Sequence, residues 1–213
     1  MAWTKAGRER KNGAGNLASD DLRVVAVVLS ALTAAKAITG ATNATPIVIT
    51  STAHGFSNGD EVQIIGVGGN ANANGYFIVA NVTTNTFEIT NPYTGANIAG
   101  SGAYTSGGYV LPLGSTALDN LNDVDAGARA AVSATLTGVT ITGGVLDAND
   151  FSYTSVPAGS PIRALLLYYH SGTESTSTLL LWITSSDLPI TPDGNNINVT
   201  WDNGVNRISR ELG

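Results

Sequence analysis

The 213-residue chain has no cysteine, few charged residues and no long hydrophobic run. The absence of cysteine excludes disulfide bonds, Cys-ligated zinc sites and thiol catalysis, so packing and strand pairing must stabilise the fold. The longest apolar run, residues 24–29, is far below the roughly 20 residues that cross a bilayer. No apolar segment typical of a signal peptide follows the N-terminal basic residues. We therefore expect a soluble protein with no membrane partner.

Charge is scarce and unevenly distributed. Charged residues make up 12% of the chain and hydrophobic residues 43%, which is the reverse of a disordered composition. The net charge of −6 argues against nucleic acid as a partner, because general phosphate binding needs an excess of basic side chains, although a local basic arm could still act on its own. The first eleven residues carry four basic side chains and one glutamate, so their net charge is +3 and the remainder carries −9. Residues 37–128 contain no lysine or arginine.

The N-terminal segment, residues 1–20, is predicted to form an extended basic arm ahead of the fold. Its residues 11–16 are rich in glycine and asparagine, as in chain termini that lie outside a core. A lone tryptophan in such a polar segment is suited to anchoring in a neighbouring subunit. A solvated terminus without a partner is the alternative. The predicted partner-binding residues are Trp3, Lys5, Arg8, Arg10 and Lys11.

The rest of the chain has the pattern of short strands separated by turns. Its 25 glycines, its many Thr, Ser and Asn residues and its single methionine favour strands over helices. Trp182 and Trp201 lie in strand-like segments and are predicted to pack in a core. Residues 31–37 are compatible with a short helix. Strands are predicted at residues 22–29, 47–50, 61–65, 76–80, 86–90, 130–136, 139–142, 145–151, 162–169, 179–183 and 197–201.

Four of these strands fall within residues 40–100 and predict a small β-barrel. The segments AHGFSNGDEV at 53–62, NGYFIV at 74–79 and TFEI at 86–89 carry a resemblance to a known module. They resemble the small β-barrel first described as the first-catalytic-cysteine half-domain of ubiquitin-activating enzymes, and similar modules recur in tailed-phage virion proteins. The resemblance implies a spacer or binding surface and no ubiquitin chemistry.

The strands after residue 130 recur about every ten residues, as in an antiparallel β-sandwich. Four segments here are similar, in order, to a widespread family of small structural proteins in phage genomes. They are DVDAGAR at 123–129, VLDANDF at 145–151, LLYYHSGTESTS at 166–177 and NVTWDNGVNRI at 198–208. Residues 21–29 resemble that family's opening strand, and the family pattern usually lacks the barrel.

The two resemblances together imply that the barrel is inserted into the sandwich. The predicted fold is all-β, an antiparallel β-sandwich with an inserted small β-barrel and an extended N-terminal arm. The predicted domains are the arm at residues 1–20, the sandwich at residues 21–39 plus 101–213, and the barrel at residues 40–100.

Residues with catalytic or metal-binding chemistry are few and scattered. His54 and His170 have no clustered partners, so turn or hydrogen-bonding roles are favoured over metal ligation or acid/base catalysis. One loop offers oxygen ligands suited to Ca²⁺, but its order is one ligand short of an EF-hand, so an Asx-rich turn is favoured. These loop residues are Asp119, Asn122, Asp123 and Asp125. We predict no catalytic residue, no cofactor and no metal.

The resemblances imply a non-enzymatic structural protein of a tailed-phage particle, on the capsid exterior. The first hypothesis is a decoration or cement protein that binds the major capsid protein or other virion proteins. The alternative is a tail or fibre component whose barrel binds a host-surface receptor or glycan, and a glycan-directed hydrolase is the third. Exposed edge strands and particle symmetry further predict a homo-oligomer, such as a trimer on a threefold axis.

Overall fold

The computed structural model describes residues 2–5, 7–9, 17–113, 118–142, 145–185, 187–202 and 208–210. Antiparallel sheets dominate these residues and there is almost no helix, which confirms the predicted all-β class. Apart from the first two residues, the chain forms two compact units. The larger comprises Trp3–Leu32 and Asp119–Gly213, and the smaller comprises Thr33–Leu118. No helix in the described ranges is long and apolar enough to cross a membrane.

The strands are numbered in chain order. They are β1 (Ala2–Trp3), β2 (Leu22–Val27), β3 (Lys36–Ala37), β4 (Gly40–Ala41), β5 (Val48–Thr50), β6 (Glu61–Ile65), β7 (Gly75–Ala80), β8 (Thr86–Thr90), β9 (Tyr109–Pro112), β10 (Arg129–Val132), β11 (Thr140–Thr142), β12 (Val145–Asp147), β13 (Phe151–Tyr153), β14 (Ala164–Tyr169), β15 (Leu179–Ile183), β16 (Ile197–Val199) and β17 (Ser209–Arg210). Short 3-10 turns lie between them at Leu29–Ala31, Ala71–Ala73, Leu121–Asp123, Ala126–Ala128 and Glu174–Thr176.

The main sheet of the larger unit has five strands in the order β1-β15-β14-β2-β10. Its central strand, β14, pairs with β2 along its whole length, from Ala164 opposite Val27 to Tyr169 opposite Leu22. Every residue of β15 is buried, and so are five of the six residues of β2. These strands are continuous apolar runs because both faces of the sheet's centre are covered.

The second layer of the larger unit consists of two small sheets, with strand orders β11-β12-β17 and β13-β16. One core cluster combines buried side chains of the main sheet, such as Val24 and Leu181, with buried side chains of the small sheets, such as Leu146 and Val199. The buried Tyr153 hydroxyl donates a hydrogen bond to the carbonyl oxygen of Val24 at 3.1 Å. Burial raises the pKa of Tyr153 far above its usual range, so the hydroxyl remains a donor.

The smaller unit is one seven-stranded sheet in the order β3-β9-β6-β7-β8-β5-β4, curled into a half-barrel. Its inner face alternates along the strands, so that Phe77 and Val79 of β7 and Phe87 and Ile89 of β8 point into one core. A tight turn leads into β6, where Gly59 has a φ of 93° that favours glycine.

The smaller unit is wider than residues 40–100, because β3 and β9 complete its sheet from outside that range. Ile38 and Val110 are both buried in its core. The sequence did not predict β9, since a glycine-rich stretch precedes it and Pro112 ends it. Residues 31–37 also differ from the short helix considered for them. They end a 3-10 turn and then form β3, which pairs with β9.

Candidate functional site

The N-terminal segment lies along the edge of the main sheet of the larger unit, next to β15. The Thr4 amide donates a hydrogen bond to the Leu180 carbonyl at 2.9 Å, and the Thr4 hydroxyl donates to the Leu179 carbonyl. The same hydroxyl accepts a hydrogen bond from the Gly7 amide at 2.8 Å. Thr4 is buried. Its side chain and backbone pair with carbonyl groups of β15 that would otherwise lack a hydrogen-bond donor.

Gly7 has no space for a side chain. It is buried in a helical turn, with the Arg8 amide donating to the Thr4 carbonyl at 3.0 Å. A Cβ atom at Gly7 would lie 2.8 Å from the Cα atom of Leu180 and 2.9 Å from its carbonyl carbon. Both are backbone atoms of β15 that cannot rotate away. The close approach of this segment to the sheet therefore depends on glycine at this position.

Trp3 is half-buried and packs against the core cluster of the larger unit. This differs from the extended arm predicted ahead of the fold, in which Trp3 was to anchor in a neighbouring subunit. The Arg8 guanidinium, at Nη1, donates a hydrogen bond to the Trp3 carbonyl at 2.9 Å, which closes the turn over the tryptophan backbone. Binding of a partner by Trp3 and Arg8 stays a prediction.

The charges of this segment are placed at the rim of the sheet edge. Lys5 and Glu9 are exposed, and Arg8 is half-buried. Burial raises the pKa of Asp119, the Asp123 carboxylate raises it further, and the nearby Lys5 ammonium lowers it. Lys5 therefore lies close enough to Asp119 to interact with it. Arg10 and Lys11 fall outside the described residues.

The acidic loop before β10 uses its oxygen atoms to cap its own backbone. One Asp123 carboxylate oxygen, Oδ2, accepts hydrogen bonds from the amides of Asp119 at 3.0 Å and Asn120 at 2.9 Å. The Asn120 side chain accepts from the Asn122 amide at 3.1 Å, which completes a capping box. This is the Asx-rich turn that the sequence favoured. No cluster of three potential His, Asp or Glu ligands occurs in the part of the chain that the structure describes.

Arg129, which the sequence did not single out, connects this loop to Glu174 of a later 3-10 turn. Arg129 donates hydrogen bonds to the carbonyl groups of Val124 at 2.8 Å and Leu121 at 2.7 Å. Its guanidinium also forms a bidentate pair with the Glu174 carboxylate, at 2.7 and 3.1 Å. The pair lowers the pKa of Glu174. Because the two residues are 45 positions apart, no local sequence pattern predicts the contact.

The two histidines belong to different units. His54 is buried in the smaller unit, where its Nδ1 accepts a hydrogen bond from the Phe56 amide at 3.0 Å and its ring stacks on Phe56 with centroids 5.3 Å apart. His170 follows β14, and its backbone amide donates to the Asp21 carbonyl at 2.8 Å. The Arg23 guanidinium, hydrogen-bonded to the Asp21 carboxylate, lowers the pKa of Asp21.

A cleft of about 480 Å³ opens between the layers of the larger unit. Its walls are mainly side chains of the sandwich core, including Tyr153, Ile183, Val199 and Trp201, while Asp187 and Asp202 also line it. The Asp187 carboxylate accepts a hydrogen bond from the Ser185 hydroxyl at 3.2 Å. The cleft has the size and apolar lining of a site for a small organic group.

Comparison with known proteins does not assign the chain to a family. No protein-family profile matches it, and no curated protein sequence matches it with significance. The docked N-terminal segment is thus the best-defined candidate surface, on geometry alone.

Proposed function

We propose that this chain is a structural protein of a tailed-phage particle that decorates the capsid by binding the major capsid protein or other virion proteins. The resemblance of residues 123–129, 145–151, 166–177 and 198–208 to small phage structural proteins supports this role. The observation that carries the proposal is the N-terminal segment. Thr4 and Gly7 hold it on β15, so that the cationic Lys5 is presented at a fixed edge of the sheet.

The charge distribution favours a partner surface with acidic side chains. The first eleven residues carry a net charge of +3, whereas the remaining residues carry −9. Complementary charges accelerate association and orient the two proteins, while apolar contacts at the interface supply affinity. Half-buried Trp3, whose carbonyl accepts a hydrogen bond from Arg8, is suited to that second role.

Homo-oligomerisation is part of the proposal. Strand β10 ends the order of the main sheet and β11 ends that of a smaller sheet. Each carries an exposed apolar residue, Val132 at 46% exposure and Ile141 at 43%. An edge strand with an exposed apolar side chain can pair with another chain, and particle proteins repeat by symmetry, so a trimer is one arrangement that fits.

A tail or fibre component with a host-binding barrel is the second candidate. Its support is an exposed aromatic residue, Tyr93, on the smaller unit. Exposed aromatic side chains are enriched at binding surfaces.

Charge reversal of the N-terminal segment tests the decoration role. We expect the triple variant Lys5→Glu, Arg10→Glu, Lys11→Glu to bind purified shells that lack this protein at least about tenfold more weakly at low salt. The difference should shrink at high ionic strength, because salt screens exposed charges. Binding is measured by co-sedimentation with the shells.

The control is Lys36→Glu in the smaller unit, a change of −2 in net charge that is matched by Lys5→Glu alone, whereas the triple variant changes the net charge by −6. This control should bind like the unaltered protein. Equal binding of the triple variant and the control would contradict the role given to the N-terminal segment.

A further inference from the structure

Tyr93 is the most exposed large hydrophobic residue in the described parts of the chain. Its exposure is 78%, and the only others in that class there, Val132 and Ile141, belong to the larger unit. Aromatic side chains are enriched at contact surfaces, which makes so exposed a ring a candidate contact residue. In its described part, the smaller unit therefore presents one highly exposed aromatic ring to solvent.

The turn that carries Tyr93 is held by a dense set of hydrogen bonds. The Asn91 side-chain oxygen accepts from the amides of Tyr93 at 2.9 Å and Thr94 at 3.0 Å. The Gly95 amide donates to the Asn91 carbonyl at 2.9 Å, and the Asn91 amide donates to the Ala96 carbonyl at 2.8 Å. Because the backbone is already ordered, a ligand that covers the ring does not have to order the turn.

A second aromatic ring flanks the first. Tyr76, on β7, contacts Tyr93 with ring centroids 6.3 Å apart and planes at 79°. This edge-to-face geometry is a favourable aromatic arrangement, and it helps to fix the orientation of the Tyr93 ring. Tyr76 alternates with the inward-pointing Phe77, so it lies on the outer face of the half-barrel. The pair forms a small preorganised aromatic surface.

The surroundings of the pair point to a neutral sugar as the ligand. The smaller unit has one basic residue, Lys36, against Asp60, Glu61 and Glu88, so it lacks the cations that anionic ligands require. A protein interface needs an apolar core, and Tyr93 is the only exposed large hydrophobic residue of this unit in its described part. A sugar ring needs a smaller apolar surface than a protein does, because its one apolar C–H face can stack on a single aromatic ring. Amide and hydroxyl groups of the protein can then bind the hydroxyl groups of the sugar.

We infer that Tyr93 and Tyr76 form a binding surface for an uncharged glycan. The same turn carries two polar side chains, the amide of Asn91, whose oxygen already accepts two backbone amides, and the hydroxyl of Thr94. A single such contact is weak, and many copies on one particle would raise the overall affinity through multivalency. The inference rests on the host-binding barrel of the second candidate function, and its test is separate from that of the decoration role.

An array of immobilised neutral and acidic oligosaccharides tests the inference. The full chain, coupled to a multivalent carrier, should bind a subset of neutral glycans and no glycan through its acidic groups. For the neutral glycan that binds best, Tyr93→Ala should weaken binding at least about tenfold, while Tyr93→Phe should stay close to the unaltered protein because stacking does not need the hydroxyl. Ile141→Ala, which removes an exposed apolar side chain of the larger unit, should have no effect.

Three results would overturn the inference. They are no binding to any neutral glycan, binding that Tyr93→Ala leaves unchanged, and a preference for acidic glycans. Far-UV circular dichroism of Tyr93→Ala shows whether a loss of binding is due to unfolding. Because the Tyr93 side chain is exposed, we expect an unchanged spectrum. If Tyr93→Ala instead abolishes binding to shells that lack the protein, the aromatic pair is a protein contact and the glycan assignment is wrong.

Discussion

Replacing Gly7 by alanine is expected to release the N-terminal segment from β15. Alanine is the better helix former by about 1 kcal/mol, so in an exposed helical turn this change would stabilise the segment. At Gly7 the added Cβ would instead lie 2.8 Å from the Cα of Leu180, and neither backbone can yield without breaking the Thr4 hydrogen bonds. Overpacking of this kind costs about 1–3 kcal/mol. A loss of stability in Gly7→Ala therefore indicates tight docking, whereas a gain indicates a solvated terminus.

Amide hydrogen exchange at Thr4 measures this release. The Thr4 amide donates to the Leu180 carbonyl, so its exchange reports opening of the segment. We expect exchange to be about 5- to 150-fold faster in Gly7→Ala, and trypsin to cleave faster after Lys5 and Arg8. The control is Glu9→Ala, an exposed position in the same segment. Slower exchange in Gly7→Ala than in the unaltered chain would contradict the docked arrangement.

Replacing Trp182 by alanine is expected to have the largest effect on stability. Trp182 is fully buried in β15, where it lies opposite Leu166 of the central strand. Truncating a buried tryptophan to alanine typically costs about 3–5 kcal/mol, through lost burial and the cavity left behind. Since small domains are stable by only about 5–15 kcal/mol, the larger unit would lose a substantial part of its stability.

Trp182→Phe is the matched control for this prediction. The indole Nε1 of Trp182 has no hydrogen-bond partner within the described structure, so phenylalanine removes an unsatisfied donor while keeping most of the apolar volume. We expect its cost to stay below about 2 kcal/mol. Denaturant unfolding followed by far-UV circular dichroism gives both values. A loss below 1 kcal/mol in the alanine variant would show that β15 is not at the centre of the core.

Strand positions could be predicted from the sequence where two local patterns agree. Residues 61–65, 86–90 and 179–183 were predicted as strands, and β6, β8 and β15 have the same bounds. Each combines β-branched or apolar residues with turn residues immediately outside it. The predicted core positions of Trp182 and Trp201 are confirmed by their burial. Periodicity identifies these strands and buried residues because it reflects which side chains of a local segment face the core.

Contacts between distant segments could not be predicted in the same way. Docking of Thr4 and Gly7 depends on the backbone carbonyl groups of β15, about 175 residues away. Every residue has a backbone carbonyl group, so the sequence does not show which ones accept these hydrogen bonds. Trp3 was therefore expected to lack a core, although it packs against one. The Arg129–Glu174 pair was missed because the two residues are 45 positions apart. The limits of the smaller unit shifted because β3 pairs with β9 across some seventy residues.

The copy number of the chain in purified phage particles tests the proposed function most directly. A decoration protein covers a shell built from repeated subunits, so quantitative mass spectrometry should find the chain in an amount comparable to the major capsid protein. Addition of the chain to shells that lack it should restore the same ratio. A few copies per particle would contradict the decoration role and support a tail or fibre component, and absence from the particle would contradict both.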